Sequence, residues 1–230
     1  HIKEKILSSV PAALEKQTAE KIDHYCFSKI YYIEFMWYGL NNMRVSLYKK
    51  DKKIYNIKAM EEKILTIRKA QLEDLQPITE IYNQAVLKTI STFHLYPRSF
   101  EEQLKWFESH GDKYPLLVAE EGGLVIAWAC LSSYSDREGY QYTVTDSIYV
   151  REEFRRQHIG YELLNFLMGE ARKLGYHSVV AFIARENLAS IRLHEKVGFL
   201  YRGVLKEVGF KFGRWMDVCF YQKMLEGERE

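Results

Sequence analysis

An α+β fold, with a mixed sheet carrying helices on both faces, is what this chain of 230 residues predicts, and three observations predict it. From residue 65 onward, apolar runs and amphipathic periods follow in the order βα, α, ββ, β, α, β, α, ββ. Turns at Glu121-Gly122-Gly123 and around Gly213 join neighbouring strands as hairpins. A helix between the strands at 140–150 and 177–184 supplies a crossover, so hairpins and a crossover occur in one sheet.

The elements follow in order. Residues 11–23 read as a helix, with Ser9 as a cap and Pro11 suited to the first turn. Residues 25–40 are apolar and aromatic, and periodicity alone leaves them between a strand and a buried helix. Residues 65–70 form a strand. Residues 73–88 form a helix with Leu75, Ile78, Ile81, Tyr82, Ala85 and Val86 on one face and Asp74 as its cap. A loop, 89–98, leads to Ser99, which caps a helix over 100–109. Strands at 115–120 and 124–132 flank the first hairpin turn. After a polar loop at 133–139, residues 140–150 alternate as a long strand. The loop 151–160 enters a helix over 161–174, which Gly175 ends. A buried strand at 177–184 precedes a helix from Asn187 to Val197, stopped by Gly198. Strands at 199–208 and 214–225 complete the order.

Composition bounds the function. A hydrophobic fraction of 47% and a charged fraction of 28% are those of a globular protein. A net charge of +2 gives no electrostatic case for nucleic acid. The charge is uneven: residues 1–59 carry eleven Lys/Arg against six Asp/Glu, and hold only Gly39 and Pro11 of the chain's 13 Gly and 4 Pro. The shift near Met60 divides an N-terminal extension of unassigned role, 1–59, from a domain over 60–230. The extension reads either as a docking appendage or as sequence ahead of a natural start at Met60. Cys26, Cys130 and Cys219 are widely spaced and odd in number, which disfavours a disulfide framework and a metal site and suits a reducing cytoplasm. No run of eighteen apolar residues is present, so no membrane span is expected.

Two stretches carry candidate chemistry. A strand ends at Val150, a loop containing Arg155 and Arg156 follows, and a helix begins near Gly160. Unpaired N–H groups and the helix dipole at such a start favour an anion such as a pyrophosphate. The same stretch reads equally as a plain strand-to-helix turn. In the second, ENLASIRLHEKVGF (186–199), Ser190 and His194 share a helical face, while Asn187 and His194 also read as a cap and a surface residue.

The two stretches, in this order and at this separation, resemble the GCN5-related N-acetyltransferase superfamily. ITEIYNQAVLKT (78–89), YPLLVAEEGG (114–123), YTVTDSIYV (142–150), ASIRLHEKVGF (189–199) and VGFKFGRWMDV (208–218) resemble its phosphinothricin and methionine sulfone/sulfoximine acetyltransferases. The resemblance implies a GNAT fold, mostly antiparallel and splayed at a cofactor cleft. It implies acetyl-CoA as co-substrate with no metal, direct transfer to the amino group of a small amino acid or analogue, and a homodimer. Ile148, Tyr149 and Val150 are expected to hold the pantetheine arm by their backbone. Arg155, Arg156, Gln157, His158, Ile159, Gly160 and Tyr161 are expected at the pyrophosphate, and Asn187 and Ser190 elsewhere on CoA. Phe93, Arg137, Tyr140 and Thr145 would line the acceptor pocket, and His194 would protonate the leaving thiolate.

Three positions depart from the family pattern. His158 stands where a glycine of the pyrophosphate loop is usual. Thr145 replaces the Glu proposed as general base in many relatives. Asp146 follows it, on the opposite face of a regular strand, so water held by Thr145 is the favoured proton path and Asp146 the alternative. Ser135 stands where relatives often place Arg or Lys, leaving Arg137 as the candidate for a substrate carboxylate. Alternative readings are a different amine acceptor (a polyamine, an aminoglycoside or a protein N-terminus) and a non-catalytic CoA-binding module.

Overall fold

The computed structural model describes residues 32–37, 43–48, 55–58 and 65–225. The chain divides into two compact units, His1–Lys63 and Ile64–Glu230. In the first, β1 (Tyr32–Trp37), β2 (Met43–Tyr48) and β3 (Tyr55–Lys58) form an antiparallel sheet in that order, with Phe35 opposite Val45 and Ser46 opposite Asn56. Aromatic and branched residues over 32–37 thus settle as a strand where periodicity left two choices. The helix expected over 11–23 lies outside the described residues.

In the second unit, β4 (Leu65–Lys69) leads to α1 (Leu75–Lys88) and α2 (Phe100–Glu108). The hairpin of β5 (Leu116–Glu121) and β6 (Leu124–Ser133) is followed by β7 (Thr143–Val150) and α3 (Ile159–Lys173). Then come β8 (Ser178–Ala184), α4 (Leu188–Val197), β9 (Leu200–Lys211) and β10 (Arg214–Met224). The seven strands lie in the order β4-β5-β6-β7-β8-β10-β9. Every neighbouring pair is antiparallel except β7 with β8.

Both faces of the sheet are covered. On one, Ala127, Ala129 and Leu131 of β6 and Val144 of β7 join Leu163, Leu164 and Leu167 of α3. On the other, Trp128 and Cys130 of β6 join Ile78, Ile81 and Tyr82 of α1. The period of two along β6 therefore divides its side chains between two cores, which is why the strand reads as uniformly apolar.

Local chemistry sets the ends. Ser99 forms the expected cap of α2: its hydroxyl accepts from the Glu102 amide, while the Glu102 carboxylate accepts from the Ser99 amide. Gly175, at φ 77°, closes α3, with Tyr176 N–H donating to Ala171 O and Gly175 N–H to Arg172 O. Asp74 differs from expectation, making no side-chain cap on α1. Its carboxylate instead accepts from the Gln71 amide and pairs with Arg68 at 2.6 Å, and Arg68 also reaches Glu120. Desolvation by burial raises the Asp74 pKa, but the Arg68 contact and the Gln71 amide together outweigh it and leave the net shift downward. The long strand expected from residue 140 begins at Thr143, because Glu138–Tyr140 closes a 3-10 turn.

Candidate active site

The pairing of β7 with β8 stops early. Thr143, Val144 and Thr145 lie opposite Ser178, Val179 and Val180, and no further partners follow. Beyond them, Asp146–Val150 on one strand and Ala181–Ala184 on the other are walls of a cleft of about 1170 Å³. Strand β7 keeps an unbroken register with β6 on its other edge, so the separation opens on the β8 side alone. Backbone groups on that edge have no strand partner and can bind a ligand in extended form, apart from Val150 O, which accepts from Arg155 Nε.

One end of the cleft is cationic. Arg155, Arg156, His158, Ile159, Gly160 and Tyr161 line it, as the sequence led one to expect, while Gln157 turns away and donates from Nε2 to the Glu153 carbonyl. Arg155 Nε donates to Val150 O, fixing the loop to the strand end. Arg156 and His158 both sit at φ 63°, in the left-handed region that glycine favours. Backbone that turns through this region gathers N–H groups into an anion-binding concavity. His158 is the N-cap of α3 and makes no side-chain cap, so the Ile159 and Gly160 amides at the cleft lining carry no capping side chain, while the Tyr161 amide donates to His158 O. Gly160 serves a packing need: a Cβ there would sit 3.3 Å from Leu193 and 3.7 Å from Val150. Lys88, Arg192, Lys196 and Arg214 also line the cleft, and the sequence did not single them out.

Midway along, Asp146 and His194 meet. His194 Nε2 lies 3.0 Å from Asp146 Oδ2, with side-chain exposures of 3% and 1%. His194 Nδ1 lies 2.7 Å from the Ser190 carbonyl oxygen, which only accepts, so Nδ1 carries a hydrogen. The bond between Nε2 and Oδ2 then needs one further proton, held by ring or carboxyl and shared by the pair. Burial opposes a charge on the imidazole, but Asp146 outweighs it and the His194 pKa ends above its ordinary value. Asp146 Oδ1 is buried with no hydrogen-bond partner among the described residues.

Of the other candidate residues, Asn187 and Ser190 line the cleft, while Thr145, Arg137, Tyr140 and Phe93 do not. Thr145 lines neither this cleft nor the smaller cavity under α1; its hydroxyl donates to the Ser132 carbonyl at 3.4 Å. The strand is regular, so Thr145 shares the α1 face with Tyr149, and Asp146 faces α4. Asn187 is occupied within the protein: Oδ1 accepts from the Ser190 amide as a helix cap, and Nδ2 donates to Ser91 Oγ across the cleft mouth. Ser190 lines the cleft and orients His194 through its carbonyl. Arg137 and Tyr140 lie exposed on the 133–142 loop and line neither cavity, with Tyr140 packed on Tyr134. Phe93 is wedged against Gly209 rather than lining a cavity. Arg98 is instead the guanidinium that lines the smaller cavity. Among the described residues no group of His, Cys, Asp or Glu is arranged to hold a metal. Burial drives the Cys130 thiol up to about 12, which removes it as a nucleophile.

A slot with an anion cradle at one end and a shared proton in its middle suits a long carrier with a phosphate tail and a reactive head. That class is group transfer from a nucleotide-tailed carrier. Residues 76–199 match the model of the Acetyltransferase (GNAT) family, and the chain belongs to that family. It is 40% identical over 163 residues to the L-methionine sulfoximine/L-methionine sulfone acetyltransferase of Salmonella typhimurium, covering 70% of this chain and 95% of that protein. It is 37% identical over 167 residues to an L-amino acid N-acyltransferase of Escherichia coli, covering 72% and 97%. Among solved structures, a phosphinothricin acetyltransferase from Sinorhizobium meliloti in complex with acetyl-CoA superposes with a TM-score of 0.69 at 40% identity, covering 71% and 90%.

Proposed function

We propose that this protein transfers the acetyl group of acetyl-CoA to the α-amino group of a small amino acid or analogue of the methionine sulfone, methionine sulfoximine or phosphinothricin type. The observation that carries the reading is the loss of β7–β8 pairing after Thr145 beside the uncapped start of α3. When bound, acetyl-CoA supplies the acyl group activated as a thioester. Arg155, Arg156 and the amides of Ile159 and Gly160 hold its pyrophosphate, while the Tyr161 amide donates to His158 O. The β8-facing backbone of Ile148 and Val150, on either side of Tyr149, binds the pantetheine arm, and an N–H near Ile148 donates to the carbonyl oxygen as negative charge develops there. Binding both reactants in one cleft supplies orientation.

Proton handling falls to Asp146 and His194. The amine reaches the site neutral, its ammonium proton left in water. As nitrogen bonds to the acyl carbon and the carbon–sulfur bond breaks, the pair gives its shared proton to the sulfur and takes one back from the nitrogen. The pair ends in the state in which it began. Asn187 and Ser190 act as positioning residues, one holding the start of α4 and the other the ring of His194.

The chain acts as a homodimer in a reducing cytoplasm. The dimer is supported by exposed apolar side chains on β9 and β10, among them Tyr201, Leu205, Phe210 and Trp215. The compartment is supported by the free, buried Cys130 and Cys219. Thiol release from acetyl-CoA in the presence of methionine sulfone, methionine sulfoximine and phosphinothricin tests the function. Acetylated product with at least one is expected. CoA binding without turnover of any amine overturns it.

A further inference from the structure

A second, smaller cavity of about 70 Å³ lies beneath α1 and α2, and Ser147 and Tyr149 of β7 line both it and the large cleft. Two of its walls end in unsatisfied polar atoms. Trp128 is 2% exposed and Gln103 is 1% exposed, and neither Trp128 Nε1 nor Gln103 Oε1 has a hydrogen-bond partner among the described residues. A buried polar atom left unpaired is costly, so two on residues lining one cavity point to something that satisfies both. Gln103 is also the single buried residue of α2, an inward amide on a helix otherwise half-buried or exposed. At the side, Arg98 is fixed through its backbone, its amide donating to Asn83 Oδ1 and its carbonyl accepting from Asn83 Nδ2.

From this geometry we infer that the cavity is the subsite for the acceptor's side-chain head, and that it selects a compact group carrying both an acceptor oxygen and an N–H. The inference rests on the acetyltransferase reading above. Its logic is one of complementarity. The Trp128 indole only donates, so the occupant brings an acceptor oxygen. The Gln103 carbonyl oxygen accepts, so the occupant brings a donor. A sulfoximine carries S=O and S=N–H on one sulfur, and a carboxamide carries C=O and N–H on one carbon. A sulfone offers two oxygens and no donor, and a thioether offers neither. A space of this size takes a compact head group and leaves the amino-acid backbone outside, beside Arg98 and β7. A site built to hydrogen-bond a group rejects the analogue that lacks it, because the site's own polar atoms are then stranded.

The test compares methionine sulfoximine, methionine sulfone and norleucine as acceptors for the full chain, for Trp128→Phe and for Gln103→Leu. The unchanged chain is expected to prefer sulfoximine to sulfone and sulfone to norleucine in kcat/KM. Trp128→Phe lowers kcat/KM for both oxygen-bearing acceptors about tenfold, mainly through KM, and leaves norleucine within threefold. Because Trp128→Phe also disturbs packing, Gln103→Leu provides the second reading. It raises the melting temperature by removing an unpaired buried atom, yet abolishes the preference for sulfoximine over sulfone. A purely structural Gln103 would lower stability and act equally on all three acceptors, which overturns the subsite. Equal kcat/KM for sulfoximine and norleucine in the unchanged chain also overturns it, the cavity then holding solvent only. Absence of transfer to any acceptor removes the acetyltransferase reading and the subsite with it.

Discussion

His194 Nε2 and Asp146 Oδ2 stand 3.0 Å apart although 48 residues separate them in the chain. One proton shared in a buried pair is a resource for acid–base work. Asp146→Asn keeps the shape and removes the site for that proton. Its kcat is expected to fall about a hundredfold or more, with KM for acetyl-CoA little changed. Thr145→Val removes the hydroxyl that bonds Ser132 O and should leave kcat within about threefold, since it loses one long hydrogen bond. Steady-state kinetics on the two variants separates the pair from a water path held by Thr145. The reverse order of effects would place the proton path at Thr145.

The same pair makes stability depend on pH. The folded-state pKa of His194 is raised above the ordinary 6.5, so the folded chain binds that proton more tightly than the unfolded chain. The contribution is therefore fully present below pH 6.5 and is lost as pH rises through the folded value. Thermal melts should show stability falling in that window, by at most about 1.4 kcal/mol per pH unit for one proton. His194→Gln should flatten the decline, and an unaltered slope in that variant would assign it to another group.

Strain in the anion loop is open to relief. His158 holds φ 63°, a conformation that costs a residue with a side chain about 1–2 kcal/mol. Glycine adopts it freely but loses more entropy on folding. His158→Gly should gain about 1 kcal/mol or less in unfolding free energy and bind CoA at least as tightly, measured by denaturant titration and calorimetry. Weaker CoA binding would assign the imidazole a direct phosphate contact.

Gly209 is required by Phe93. A Cβ at this position would overlap the Phe93 ring, so the loop carrying that ring would have to move. Gly209→Ala should cost about 1–3 kcal/mol by overpacking. Combined with Phe93→Ala, the glycine substitution should cost far less than it does alone. Additive losses would show that the ring is not what the new methyl meets.

Much of the fold was legible because its signals are local. Ser99 with Glu102, Gly175 after α3, Gly198 after α4 and the apolar face of α1 each declare an element within one or two turns of chain. The Asp74 cap misled, because Arg68, six residues earlier, competes for the same carboxylate. In the site, the anion loop was legible from its arginines and the following helix. The Asp146–His194 contact was not, because it depends on α4 crossing over one face of β7. Arg98, Gln103 and Trp128 gave no signal either: a polar residue on a short helix reads as solvent-facing, and a tryptophan in an apolar strand reads as core. The sidedness that assigns Thr145 to the α1 face follows from strand alternation, but which face meets which helix is a tertiary fact.

The three rungs joining Thr143–Thr145 to Ser178–Val180, with the Tyr142 carbonyl accepting from the His177 and Ser178 amides beside them, stitch two antiparallel blocks, β4 to β7 and β8 to β9, into one sheet. The seam is the thinnest line of backbone bonding in the unit. A carrier lying along it fastens both margins at once, so its binding braces the whole unit against unfolding instead of one block. The same line is where solvent deuterium should enter first when no carrier is present, and where saturation should slow it most.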